Sequence, residues 1–263
     1  MQTVIPTGRL AGIRVYPIKS LDALQLPSVA ITPGGSLRYD REFAIIDADG
    51  GVVNAKRYER IHLIRTAYER DNPYHATFSA PGQAELKIDL DADDDRARLV
   101  QWLADFFGFA VELRRATHGG YPDDPKRPGP TVLSRASLQQ ISEWMPQFSV
   151  DELADRFRAN LEIADVPAFW EDALIAEVKF KIGAVELIGM NPCARCVVPT
   201  RHPQSGALDK TFAKKLTDLR REHLPDWAPA EVFSHYYRLS TNTRIEAQFA
   251  GQRLSIDEAV TIV

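Results

Sequence analysis

Both cysteines of this 263-residue chain fall in one short stretch, residues 182–206, IGAVELIGMNPCARCVVPTRHPQSG, and the prolines around them restrict what can form there. Cys193 and Cys196 stand at a spacing where one tight turn brings both sulfurs to a common centre. Pro192 on one side, with Pro199 and Pro203 on the other, removes backbone donors and crowds the preceding turn, so no helix runs through the pair. That disfavours a thioredoxin-type dithiol, which opens a helix after a strand. A structural zinc site needs four ligands, and the chain has no second Cys-x-x-Cys or His-x-x-x-His pair. What is left is a loop presenting a thiolate beside Arg195, whose charge favours the ionised sulfur that binds metals or attacks electrophiles. Two inert cysteines packed as small hydrophobes are the competing reading.

Around that loop the chain reads as short strands. Residues 10–18 (LAGIRVYPI) alternate apolar and polar side chains and are closed by Pro17. Residues 27–32 and 43–47 predict two more strands, and Ala48-Asp49-Gly50-Gly51 turns the second into a hairpin with residues 51–55. Further strands are expected at 63–68, 74–79, 84–90 and 111–113, at 176–182 and 184–188 about Gly183, and at 233–239, 244–249 and 259–263. Helical spacing places Leu99, Val100, Leu103, Phe106 and Phe107 on one face of a helix over 98–107. The acidic run 91–95 before it suits the positive end of the helix dipole, not a metal. Shorter helices are expected at 137–144, with Ser137 as cap, at 151–157 and at 209–221.

The proline- and glycine-rich segment 118–130 (HGGYPDDPKRPGP) separates residues 1–117 from 118–263. It is a linker, or a loop over a site in which Lys126 and Arg127 help to hold an anion.

A net charge of −4 argues against a general nucleic-acid binder. Two cysteines cannot make a disulfide framework, which points to a reducing compartment. The first twenty residues lack a basic region followed by an apolar core, and no run approaches the ~18 apolar residues of a membrane span. The expectation is a soluble, cytoplasmic protein with no membrane or nucleic-acid partner. An anion site, where there is one, must be local.

Lys19 and Ser20 follow the first strand at once, and an ammonium and a hydroxyl there can both donate to one phosphate; a solvated turn is the plainer reading. Arg158 and Asn160 are two apart, so on an extended segment they share a face suited to an anion, or to solvent. Arg41, Lys56 and Arg57 add positive charge about the expected hairpin, where surface positions explain them equally well. His235 and Tyr236 are candidates for a pocket rim or for structural roles.

The run NPCARCVVPTRHPQSG, with IGAVELIG before it, resembles the signature of MOSC-domain proteins, the family of the molybdenum cofactor sulfurase C-terminal domain and the mitochondrial amidoxime-reducing component. VYPIKS, then YDREFAIID followed by NAKR, then FRANLEI, resemble blocks of the amidoxime-reducing branch in the same order. The resemblance implies a β-rich α+β fold: a MOSC β-barrel (118–263) packed with an N-terminal β-rich domain (1–117), the molybdenum cofactor (Mo-molybdopterin) lying in the groove between them. It implies Cys196 as metal ligand and catalytic residue, with Cys193 secondary. Lys19, Ser20, Arg41, Arg158 and Asn160, together with Ala194 and Arg195 of the loop, are implied as cofactor-binding. The chain departs from the relatives at Ala159, where they carry proline, and at Glu42, which stands between Arg41 and Phe43.

The implied reaction is two-electron reduction of a small N-hydroxylated or N-oxide compound. Its electrons come from a separate reductase, a flavin or iron–sulfur protein, because the chain lacks the four cysteines of a cluster. No pyridoxal phosphate is expected. Sulfur transfer through a persulfide on Cys196 and cofactor carriage are the alternatives within the family; a structural protein with an incidental dithiol lies outside it.

Overall fold

The computed structural model describes residues 7–263; the first six, at the head of the expected N-terminal domain, lie outside the described residues. In chain order the strands and helices are β1 (Gly8–Val15), β2 (Leu24–Gln25), β3 (Ser28–Ala30), β4 (Phe43–Asp47), β5 (Arg65–Tyr68), β6 (His75–Ser79), β7 (Leu86–Asp89), α1 (Asp93–Phe107) and β8 (Val111–Arg115). Then come β9 (Val132–Ser134), α2 (Arg135–Trp144), α3 (Val150–Phe157), β10 (Leu161–Ala164), β11 (Val178–Ile182), β12 (Val185–Ala194), α4 (Phe212–Glu222), β13 (Arg238–Ile245), β14 (Arg253–Ser255) and β15 (Ala259–Ile262).

Seven strands close a barrel in the order β10-β9-β13-β12-β11-β15-β1, with β1 pairing back onto β10. Only β9–β10 is parallel among these pairs. The alternation read in the first strand is what allows this. Leu10, Ile13 and Val15 point into a core shared with Phe180, Leu187 and Val260, and a register shift between Leu10 and Gly12 restores the inward face. The topology therefore crosses the division at residue 117, since β1 belongs to the same barrel as the strands after residue 131.

Residues 18–111 build a second core. The pair β4–β8 and the sheet β5-β6-β7 pack with α1 over Phe43, Phe78, Leu99, Leu103 and Phe106. Helix α1 starts at three aspartates and ends at Gly108, whose φ of +79° closes the helix in the left-handed conformation. A third core, under α2, α3 and α4, is centred on Phe157, Phe212 and Leu216.

Several expectations need correction. Residues 51–55 form no hairpin strand with β4; only an isolated Ile46–Val52 bridge survives, because β4 takes its partner from β8 more than sixty residues on. Residues 244–249 are not one strand: β13 ends at Ile245 and a 3-10 turn follows at Ala247–Phe249. Ser134, not Ser137, caps α2, its hydroxyl accepting from the Ser137 N–H. Arg158 is not extended; it ends α3 in the left-handed conformation, so it does not share a strand face with Asn160.

Candidate functional site

Cys193 and Ala194 are the last residues of β12, where the ladder to β13 shifts register between Pro192 and Ala194. Such a bulge re-aims side chains at a sheet edge. The chain then turns through Arg195 to Cys196 and enters a 3-10 turn, Val198–Thr200. Both cysteines are free and half-buried, and the Val198 N–H donates to Cys196 Sγ at 3.5 Å.

Arg195 serves this turn differently from the expectation. Its guanidinium donates to the Leu239 carbonyl at 2.7 Å, the Phe157 carbonyl at 3.0 Å and the Ser240 hydroxyl at 2.5 Å. It is therefore committed to fixing the cysteine turn against β13 and α3. Arg156 completes the clamp from behind, donating to the Pro199 carbonyl at 2.8 Å while paired with Glu152.

The turn forms one side of a cavity of about 150 Å³ lined by every cofactor-binding residue expected from the sequence, Lys19, Ser20, Arg41, Arg158, Asn160, Ala194, Arg195 and Cys196, and also by Cys193. Lys56 and Arg127 also reach it, whereas Arg57, Lys126, His235 and Tyr236 do not. Three of its residues, Ser20 (φ +75°), Arg41 (+51°) and Arg158 (+54°), are non-glycine residues in the left-handed region. Each such residue costs on the order of 1–3 kcal/mol, and such strain gathers at functional sites. Arg41 and Arg158 flank the buried ring of Tyr16 at 5.1 and 4.0 Å from its centroid. Asp40 pairs with Arg41 and accepts from the Tyr16 N–H, which holds the first arginine in place.

Asn160 is the most constrained of the set. Its side chain accepts from the Thr131 N–H and hydroxyl and donates to the Arg14 carbonyl, so both ends of the amide brace the barrel wall.

The linker supplies what the sequence reading missed. Gly120, at φ +68°, lies so close to the Asp40 and Arg41 carbonyls that a Cβ would come within 2.6 Å of one of them. Gly129 sits equally close to the Thr243 backbone of β13. Pinned at both points, the linker carries Asp123 to Lys19, with Nζ and carboxylate 2.8 Å apart, and within 3.9 Å of Lys56. Lys19 also donates to the Tyr121 carbonyl. Desolvation pushes the Asp123 carboxyl up, but Lys19 and Arg41 outweigh it and hold the group well below the usual carboxylate range. Burial pulls Lys19 down from its ordinary value against the opposing pull of Asp123. A carboxylate of the chain itself thus sits among the cations suited to a phosphate.

Two further groups border the cysteine turn. Arg238 donates to the Pro192 carbonyl and faces Cys193, and the buried Tyr237 hydroxyl, without a hydrogen-bond partner, lies in the field of Arg195 and Cys196. Tyr237 and Arg238 were invisible as site residues because only the strand pairing of Arg238 with Ala194 puts them beside the turn.

Among the described residues no group of three or more His, Cys, Asp or Glu side chains could hold a metal ion. A metal seated here takes a thiolate from the chain and its other ligands from the group that carries it. The residues fit such a group: a half-buried sulfur at one end and a set of cations at the other. At about 150 Å³ the cavity is smaller than usual cofactor pockets, and the linker that carries Asp123 forms one of its walls.

Residues 7–112 match the MOSC N-terminal beta barrel domain and residues 130–250 match the MOSC domain. The molybdenum cofactor sulfurase of Drosophila grimshawi is 27% identical over 217 residues, covering 72% of this chain and 27% of that protein. The Homo sapiens molybdenum cofactor sulfurase is 21% identical over 261 residues, covering 80% and 28%. Mitochondrial amidoxime reducing component 2 of Macaca fascicularis is 23% identical over 268 residues, covering 86% of this chain and 76% of that protein. The chain spans roughly a quarter of the length of the sulfurases it matches. No helix among the described residues is long and apolar enough to cross a membrane.

Proposed function

The chain belongs to the MOSC family, carrying both the N-terminal barrel domain and the MOSC domain, and from that premise we propose that it is a molybdenum-cofactor-dependent reductase of N-hydroxylated or N-oxide compounds, supplied with electrons by a separate protein. The observation that carries the reading is the convergence of Cys196 with Lys19, Arg41 and Arg158 in one cavity, two of the three cations and Ser20 held in strained backbone. Likeness to the amidoxime reducing component over three quarters of its length supports the reaction class.

In this reading Cys196 supplies the thiolate ligand. Lys19, Ser20, Arg41 and Arg158 neutralise the pterin phosphate through charge-assisted hydrogen bonds. Asn160 keeps the barrel wall in register, and Arg195 fixes the turn that aims the sulfur. When bound, the molybdenum cofactor supplies two-electron chemistry at the N–O bond. The overall change takes two electrons and two protons, gives the reduced nitrogen compound and releases water. The electron donor is a flavin or iron–sulfur protein.

Sulfur transfer is the second reading, favoured by the likeness to the sulfurases and by Cys193 standing at the bulge next to Cys196. One experiment separates the two: molybdenum and pterin content of protein from a cofactor-competent host, for wild type and Cys196→Ser, with dye-coupled reduction of an N-hydroxylated amidine. Near-stoichiometric metal with turnover, both lost in the variant, supports the reductase. Folded protein free of metal and pterin, but carrying a persulfide on Cys196, overturns it in favour of sulfur transfer.

A further inference from the structure

A second cavity, about 490 Å³, adjoins the first and shares with it a wall made by Ser20, His62, Arg156, Arg158 and Val198. Arg14, Arg65, Arg156, Arg158 and Arg201 line it, against the carboxylates of Asp22, Glu85 and Asp155. Five guanidiniums face three carboxylates in the lining, and two of them, Arg156 and Arg201, are paired with Glu152 and Glu59 just outside it. Burial, and then the charges of Arg158, Arg201 and Arg65, depress His62 to about 4, so it is neutral at physiological pH.

The hydrogen-bond inventory shows what is missing. Arg65 is oriented by Asp22 at 3.1 Å and by the His62 carbonyl at 2.5 Å, and Arg201 by Glu59 at 3.0 Å and the Gly206 carbonyl at 2.9 Å. Yet Arg65 Nε, Arg201 Nε and His62 Nε2 are buried with no partner. His62 itself is only 8% exposed. A buried donor without an acceptor costs about 1–3 kcal/mol, more when charged. Two such guanidinium donors, from two separate segments lining one cavity, point to an absent anion. Arg158, on the shared wall, has no carboxylate partner among the described residues and is held by the Leu21 carbonyl and the Tyr16 ring.

The rest of the lining sets the ligand class. Gln25, Thr66, Thr77, Ser79 and Gln204 bring neutral hydroxyl and amide groups, which suit a sugar and a heterocycle edge better than a second charge. The volume falls in the range of small-ligand sites, and inorganic phosphate alone leaves most of it unfilled. We propose that this chamber is a binding site for a nucleoside monophosphate, its phosphate held by Arg65, Arg201 and Arg158. That chemistry has two sources: a free nucleotide, or the nucleotide half of a dinucleotide pterin cofactor reaching past Ser20 and Arg158. The second source rests on the proposed reading of the first cavity; the site itself does not.

The test is calorimetric titration of cofactor-free protein with 5′-CMP, 5′-GMP, inorganic phosphate and uncharged cytidine. One saturable nucleotide site is expected, about tenfold or more tighter than inorganic phosphate, with no detectable cytidine binding. Arg65→Gln and Arg201→Gln each weaken it about tenfold, whereas Arg57→Gln, outside both cavities, leaves it unchanged. Arg65→Lys keeps the charge without the Nε–H and weakens binding as well, which covers the case in which the glutamine variant unfolds. No saturable nucleotide binding, equal affinity for phosphate, or unchanged affinity in Arg65→Lys and Arg201→Gln overturns the proposal. The source is read by mass analysis of the pterin released from protein loaded in a host that makes dinucleotide cofactors. A pterin dinucleotide assigns the chamber to the cofactor, and a pterin monophosphate assigns it to the free nucleotide. Failed nucleotide binding with retained molybdenum removes only this inference. Absence of molybdenum and pterin removes only the reductase reading.

Discussion

Arg220 and Asp172 meet at 2.5 Å with 0% and 1% of their side chains exposed, whereas Lys19 and Asp123 meet at 2.8 Å with 12% and 62% exposed. The first pair sits between barrel and helices, with the Arg220 guanidinium 4.0 Å from the centre of the Phe169 ring and Glu171 beside it accepting from the Ser134 N–H and Ser137 hydroxyl. The second bridges a linker and a strained loop at the cavity. Both join a basic side chain to a carboxylate, but they answer to different costs. A buried pair has surrendered its hydration, so each partner depends on the other, while a pair whose carboxylate is open to solvent can trade that partner for water or another anion at a smaller loss. The inner pair is sealed from solvent on both sides; the outer pair leaves its carboxylate open to it.

The largest effect expected from that contrast is on stability. Arg220→Met strands a buried carboxylate and is expected to cost about 3–5 kcal/mol, read as a fall in denaturation midpoint. A loss under 1 kcal/mol would erase the distinction between the two pairs.

Glu171 sharpens it further. Burial, then the charge of Asp172, pushes its carboxyl up to about 7, against 4.5 when unfolded. The folded state therefore keeps a proton that the unfolded state gives up. Stability falls as pH rises from about 4.5 through 7, by up to about 3 kcal/mol. His62 has the opposite sign: with its folded value near 4 against an ordinary 6.5, it removes stability as pH falls through that window. Glu171→Gln is expected to gain on wild type between pH 5 and pH 8 and to leave only the acid-side loss. Denaturation curves at the two pH values that differ from wild type by a constant amount would contradict this.

The smallest effect is at the outer pair. Asp123→Asn removes the carboxylate that occupies the phosphate-suited cations, and inorganic phosphate is expected to bind about threefold tighter while stability stays within ~1 kcal/mol. Unchanged phosphate affinity would mean that Asp123 does not compete for Lys19.

The sequence exposed what local chemistry controls. Strand propensity and the turn that follows placed β4 at residues 43–47, where the structure has it, and apolar spacing found most of α1. Pairing over long separations was not legible. The turn after Asp47 advertises a hairpin, yet β4 is claimed by β8. Strands as short as β2, β9 and β14 carry too few residues for a pattern. At the site, the resemblance supplied Lys19, Ser20, Arg41, Arg158 and Cys196, and the structure gathers them in one cavity. What no local pattern could show was their direction: Arg195 turns to the Leu239 carbonyl of β13, and Asn160 spends its amide on the barrel wall. Asp123 was hidden in a segment read for its prolines and glycines, since its partner Lys19 is a hundred residues away in the chain.

The barrel seam has a consequence in time. Strand β1 lies between β10 and β15, and Arg9 reaches across that seam to Asp257, 248 residues later in the sequence. A ribosome adding 5–20 residues per second needs roughly 10 to 50 s to supply that stretch. Throughout that interval the edge of β1 has no final neighbour on one side. The nascent chain must shelter that edge until synthesis delivers β15, and the barrel closes only then.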